Sequence, residues 1–127
     1  GLTPQFVNQF GGFKVQGRGA EQASKLIEDA RKLESLGCFA MVLECVPASL
    51  SEKVTAAVGI PTIGIGAGPK VDGQVLVLQD MLGGSQGFHP KFLKRYAELH
   101  AEILSAVNRY DAEVKEGLFP TEKESYL

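Results

Sequence analysis

The chain has 127 residues, 44% of them hydrophobic, which is enough for one modest core and too apolar for a disordered tail or a disulfide-stapled miniprotein. Thirteen basic against fifteen acidic residues leave a net charge of −2. With no Lys/Arg cluster, that balance offers no footprint for nucleic acid or for an anionic membrane surface.

The longest unbroken apolar run, Cys38 to Leu43, is far short of the roughly 20 residues a membrane span needs. Residues 1–19 are rich in Gly, Gln and Asn, lack periodicity and read as an irregular segment. The chain opens at Gly1 with no Met and no signal peptide, as a piece of something longer would. Helical periodicity starts at Ala20. Ala23, Leu26, Ile27, Ala30, Leu33 and Leu36 share one face, and Gly37 is a natural stop. The run Cys38–Leu43 does not alternate with polar residues. It predicts a strand buried on both faces, as in a parallel sheet covered by helices. Pro47 suits the first position of a helix over Ala48–Val58, ended by Gly59.

Ile60–Ile65 predicts a second buried strand, closed by Gly66-Ala67-Gly68-Pro69, and Gln74–Leu78 predicts a third. A long helix is expected from Pro90 to about Glu116. Its stripe is Leu93, Tyr96, Ala97, His100, Ile103, Leu104, Val107, Tyr110 and Val114, and Gly117 stops it. Short buried strands separated by helices make an α/β fold with a parallel sheet. One link conflicts with that order. The second and third strands are joined by a short stretch containing Asp72-Gly73, a hairpin dipeptide, so pattern alone makes this pair antiparallel.

Glu44 is the strongest single feature, because it follows six apolar residues at the carboxyl end of a buried strand, where α/β folds place their working groups. Partial desolvation there raises a carboxylate pKa toward the range of a general base. The competing reading is a structural carboxylate bonded to an Arg or a helix N-terminus. Gly64-Ile65-Gly66-Ala67-Gly68 follows a strand but is not GxGxxG, since Pro69 takes the place of the third glycine. It marks a close backbone approach to a ligand or to a neighbouring element. Asp80 is expected at the end of the third strand, as a ligand contact or a cap. His89 and His100 have no metal-ligand spacing, and His100 reads as a packed imidazole. Lys14, Gln16 and Arg18 alternate and could reach an anion, with solvated loop charges the default. Cys38 and Cys45, on one expected strand, would lie about 23 Å apart. A disulfide needs about 5.5 Å. Two unpaired thiols fit a reducing cytoplasm.

Gly1-Leu2-Thr3-Pro4-Gln5 and Asn8 to Arg18 resemble the segment after the fifth strand of the ketopantoate hydroxymethyltransferase family. Val42 to Pro47 is similar to its sixth strand, Ile60 to Gly68 to its seventh, and Asp72 to Asp80 to its eighth. Lys91-Phe92, Lys94-Arg95-Tyr96 and Phe119-Pro120 resemble its closing helix and tail. Gln79, Glu124-Ser125-Tyr126, Phe6 and Phe13 depart from the common pattern.

The resemblance implies a (β/α)8 TIM barrel of the phosphoenolpyruvate mutase/isocitrate lyase type. This chain would supply about strands six to eight and the C-terminal helices, as part of one domain. The second and third strands here would be parallel, joined by a degenerate short helix. The implied reaction transfers a hydroxymethyl group from 5,10-methylenetetrahydrofolate to 3-methyl-2-oxobutanoate, giving 2-dehydropantoate for pantothenate and coenzyme A. Glu44 corresponds to the base. Gly64, Gly66 and Ala67 are substrate-binding candidates. The Mg2+ ligands, a substrate Lys and a His belong to an absent amino half. That half is expected as a second chain in the same particle, within a large cytoplasmic homo-oligomer. The alternative is a non-catalytic half-barrel acting as a scaffold or subunit-interaction module.

Overall fold

In the computed structural model, the first helix, α1 (Ala20–Ser35), forms where the apolar periodicity begins. Ala30 is buried, and Ala23, Leu26 and Ile27 pack on the core beside it. Glu21 in the first turn and Lys32 in the last suit the helix dipole. The stop is the expected one. Gly37 takes φ +92°, its N–H donates to the Glu34 carbonyl, and the Cys38 N–H donates to Leu33. These are the two bonds of a Schellman turn, which needs a left-handed residue at that point. The structure describes residues 1–9 and 11–126; Phe10 of the opening motif and Leu127 lie outside them.

That turn delays the first strand. β1 is Met41–Glu44 rather than Cys38–Leu43. Cys38 is spent closing the helix, Phe39 is 88% exposed, and pairing begins where the Met41 N–H reaches the Pro61 carbonyl. Pro47 is the N-cap of α2 (Ala48–Ala57) instead of its first residue, and its carbonyl takes the N–H groups of Leu50 and Ser51. β2 is Thr62–Ile65. It lies parallel to β1, with Met41 opposite Thr62 and Glu44 opposite Ile65.

β3, Gly73–Gln74, is also parallel to β2, with Ile63 opposite Gly73. The hairpin reading of Asp72-Gly73 is therefore wrong, and the parallel order is right. The link carries no helix, however. Left-handed glycines at 66 and 68 fold it back. The expected strand Gln74–Leu78 shrinks to two residues, extended by one bond from the Val75 N–H to Gly64. With β2 on one side and, among the described residues, no strand on the other, little holds Val75 and its neighbours in a ladder.

The chain divides into two units, Gly1–Leu76 and Val77–Leu127. In the first, α1 and α2 cover one face of the sheet β1-β2-β3. The core there is Ala30, Met41, Leu43, Val46, Leu50, Val54 and Ala67. The other face is open: Val42 is 58% exposed. Burial on both faces, expected from the unbroken apolar run, is not seen within this unit, because its two helices, α1 and α2, lie on one side.

In the second unit, Leu78–Met81 is a one-turn helix, α3, so Asp80 sits in a helical turn and not at a strand end. The long helix, α4 (Leu99–Lys115), starts nine residues later than Pro90. The intervening residues wrap on the end of α3. Tyr96, Leu99 and His100 donate N–H groups to Met81, Leu82 and Gly83, and the Arg95 guanidinium holds the Ser85 carbonyl at 2.6 Å. The bonds from Leu99 and His100 satisfy the first N–H groups of α4, which would otherwise be unpaired. No residue of α4 is buried within the chain. Among the described residues, no helix is long and apolar enough to cross a membrane.

Candidate active site

Glu44 ends β1 at the carboxyl end of the parallel sheet. Paired residues of neighbouring parallel strands point to one face. Glu44 and Val42 therefore share the open face with Ile65 and Ile63. The carboxylate is half-buried. Among the described residues no Arg and no helix N-terminus holds it by a hydrogen bond or an ion pair. An acid beside isoleucines and valine, free to accept a proton, is suited to act as a base.

Its backbone, in contrast, is tightly held. The Leu2 N–H donates to the Glu44 carbonyl at 2.8 Å, and the Gln16 N–H donates to the Cys45 carbonyl at 2.9 Å. The Cys45 N–H donates to Ile65 at 2.9 Å. The opening segment comes so close that a Cβ on Gly1 would collide with the Glu44 carbonyl oxygen. Gln16, weighed from the sequence only as a possible anion contact, is thus part of the frame around Glu44. Nothing in an unperiodic Gly/Gln stretch signals that role. Cys45 itself has φ +50°, a conformation that costs a non-glycine residue about 1–3 kcal/mol. Burial raises its thiol pKa, and the Glu44 charge adds to the effect.

The glycine candidates separate. Gly64 pairs with Leu43 and faces the helices, away from Glu44. A Cβ there would lie 2.9 Å from Val71 and 3.3 Å from Ala67. Ala67 is fully buried in the core. Packing takes up the side-chain space at both. Gly66 makes a left-handed turn just past the end of β2, at the same end of the sheet as Glu44. Arg18 and Lys53 line a cleft of about 670 Å3 at the starts of α1 and α2, and Lys14 is exposed. His89 is exposed, and His100 is exposed on the first turn of α4 rather than packed. Both cysteines are free thiols. Among the described residues, no group of three or more His, Cys, Asp or Glu side chains could hold a metal ion.

A family model described as ketopantoate hydroxymethyltransferase matches residues 1–122. The chain belongs to the ketopantoate hydroxymethyltransferase family. The family that the sequence motifs point to is the one found. Three curated relatives carry the name 3-methyl-2-oxobutanoate hydroxymethyltransferase. The protein of Bdellovibrio bacteriovorus is 59% identical over 126 residues, 99% of this chain and 48% of its own length. Those of Geotalea daltonii and Syntrophomonas wolfei are 57% and 56% identical, and 99% of this chain covers 47% and 46% of theirs. The chain spans about half the length of these members of the ketopantoate hydroxymethyltransferase family. The match takes in Glu44, its frame of Leu2, Gln16 and Cys45, and nearly all of both units.

Proposed function

We propose that this chain is the carboxyl-terminal part of a 3-methyl-2-oxobutanoate hydroxymethyltransferase and that Glu44 is its base. The reaction moves a hydroxymethyl group from 5,10-methylenetetrahydrofolate to 3-methyl-2-oxobutanoate, giving 2-dehydropantoate for pantothenate and coenzyme A synthesis. The observation that carries this reading is the half-buried Glu44 carboxylate, without a partner among the described residues, on the open face at the carboxyl end of a parallel sheet. Glu44 takes the proton from the carbon next to the keto group. The C–H electrons move into the carbonyl as an enolate, and that carbon then bonds to the one-carbon unit while both carbon–nitrogen bonds to the folate break. Water supplies the hydroxyl oxygen, and the proton from Glu44 and one from that water leave on tetrahydrofolate. The flanking Ile63, Ile65 and Val42 suit the branched carbon skeleton of the keto acid.

Three parallel strands with helices on one face and an apolar open face form an arc of a (β/α)8 barrel, whose strands pack inward and whose helices pack outward. The missing arc is the amino half of the same enzyme, the first partner of this chain. The half-length match to the relatives supports that reading. A large homo-oligomer and a reducing, cytoplasmic setting complete it, the latter in keeping with the two free thiols. The family resemblance also brings Mg2+. The described residues here do not fit a magnesium site, since no acidic cluster is present, and no step above runs through the ion.

The test is Glu44→Gln in the full-length protein that carries this segment. Turnover should fall roughly 10²–10⁴-fold, the usual worth of acid–base catalysis. Near-normal turnover would remove Glu44 from the role.

A further inference from the structure

Among the described residues, Cys45 is the single non-glycine residue with a positive φ, +50°, and it directly follows Glu44. The effect on the chain is visible in the burial. Leu43 and Val46 are both core residues, 3% and 2% exposed. In an unbroken strand, residues two apart share a face, so Leu43 would be joined by Cys45 and not by Val46. The left-handed step at Cys45 shifts the alternation by one. It turns the chain back toward the helices immediately after Glu44, so the strand ends with that carboxylate. Bonds from Leu2, Gln16 and to Ile65 then lock the turn on three sides. The Glu44 side chain has no partner of its own among the described residues, so backbone geometry sets where it points.

We propose that Cys45 is a positioning residue whose left-handed backbone, and not its thiol, ends β1 at Glu44 and leaves that carboxylate last on the open face. This rests on the reading of Glu44 as base. Glycine would adopt the same turn without strain. A β-branched residue could not adopt it without strain. The half-buried thiol is held in its neutral form by burial and by the adjacent carboxylate, which disqualifies it as a competing nucleophile.

The test is a substitution series in the full-length protein, read as kcat and KM for the keto acid. Cys45→Val should lower kcat about 10- to 100-fold, the scale of a misplaced catalytic group, with KM within about twofold. Cys45→Ala, which keeps the Cβ, and Cys45→Asn, which favours the left-handed region, should rescue kcat to within about twofold of the parent. If Cys45→Val does not fold, Cys45→Thr, which is β-branched but polar, decides, with kcat expected to drop about fivefold at unchanged KM. Full kcat in the deciding variant, Cys45→Val or in its place Cys45→Thr, overturns the proposal. So does a Cys45→Ala loss as deep as that variant's, which would assign the role to the thiol. In a Glu44→Gln background the deciding variant should cost nothing further, and an added loss would place its action elsewhere. The base assignment fails separately, through normal turnover in Glu44→Gln alone.

Discussion

The Asp72 carboxylate accepts two hydrogen bonds from Thr62, from its backbone N–H at 2.8 Å and from its hydroxyl at 2.9 Å. Thr62 opens β2 and Asp72 directly precedes β3, so one side chain ties the starts of two parallel strands together. Thr62 is fully buried, and the Thr55 hydroxyl lies 2.9 Å from its own. A parallel crossover normally takes at least about 10–12 residues and a helix. Here seven residues, Gly66 to Asp72, manage it because the carboxylate stands in for backbone bonds the short link lacks.

The same pair predicts acid sensitivity. The bond from the Thr62 amide, then that from its hydroxyl, holds the Asp72 carboxyl below its ordinary value of 3.8. A lowered native pKa contributes stability above the unfolded value and loses it as pH falls through the native one. Asp72→Asn should therefore lower the melting temperature of the full-length protein at pH 7. The gap between variant and parent should close as the pH drops below about 3.8. A gap that stays constant down to pH 2 would deny the carboxylate this role.

Gly68 has φ +78° and lies so close to Ala48 that an added Cβ would overlap the alanine methyl. Gly68→Ala must therefore move the link away from α2 as well as strain its own backbone. An expected loss of about 1–3 kcal/mol follows, to be read from urea unfolding of the full-length protein. An unchanged midpoint would mean that the link moves aside freely.

Two apolar surfaces lie uncovered, one in each unit. In the first unit Val42 is 58% and Val75 44% exposed; in the second, Ile103, Leu104, Val107 and Tyr110 on α4 are all more than half exposed. Soluble chains rarely leave such surfaces bare. Expressed by itself, this chain should bind a hydrophobic dye strongly, and co-expression with the amino half proposed above should abolish the signal and give one particle by native mass spectrometry. A dye-silent, monomeric chain would favour the self-sufficient scaffold instead.

The sequence was most legible where local chemistry decides structure. Gly37 and Gly117 stop their helices as expected, each with the two bonds of a Schellman turn. Glu44 lies at the carboxyl end of its strand, as the apolar run before it foretold. Legibility failed where long-range bonds override pattern. The stripe from Leu93 is helical in period, yet Tyr96 and Arg95 are committed to Met81 and Ser85. Asp72-Gly73 carries a hairpin signature, but its carboxylate serves a strand ten residues back. The frame around Glu44 was illegible, because Leu2 and Gln16 contribute only backbone N–H groups, which every non-proline residue has.

The short link between β2 and β3 also bears on how the sheet assembles. Thr62 on β2 partners Met41, 21 positions back in sequence, whereas Ile63 partners Gly73 only ten ahead. Closing the longer loop costs about 0.6 kcal/mol more in chain entropy for that doubling. The nearer pairing also needs no intervening helix to form first. β2 and β3, clasped by Asp72, therefore close at the lower cost in chain entropy, and the strand bearing Glu44 joins them across the longer loop.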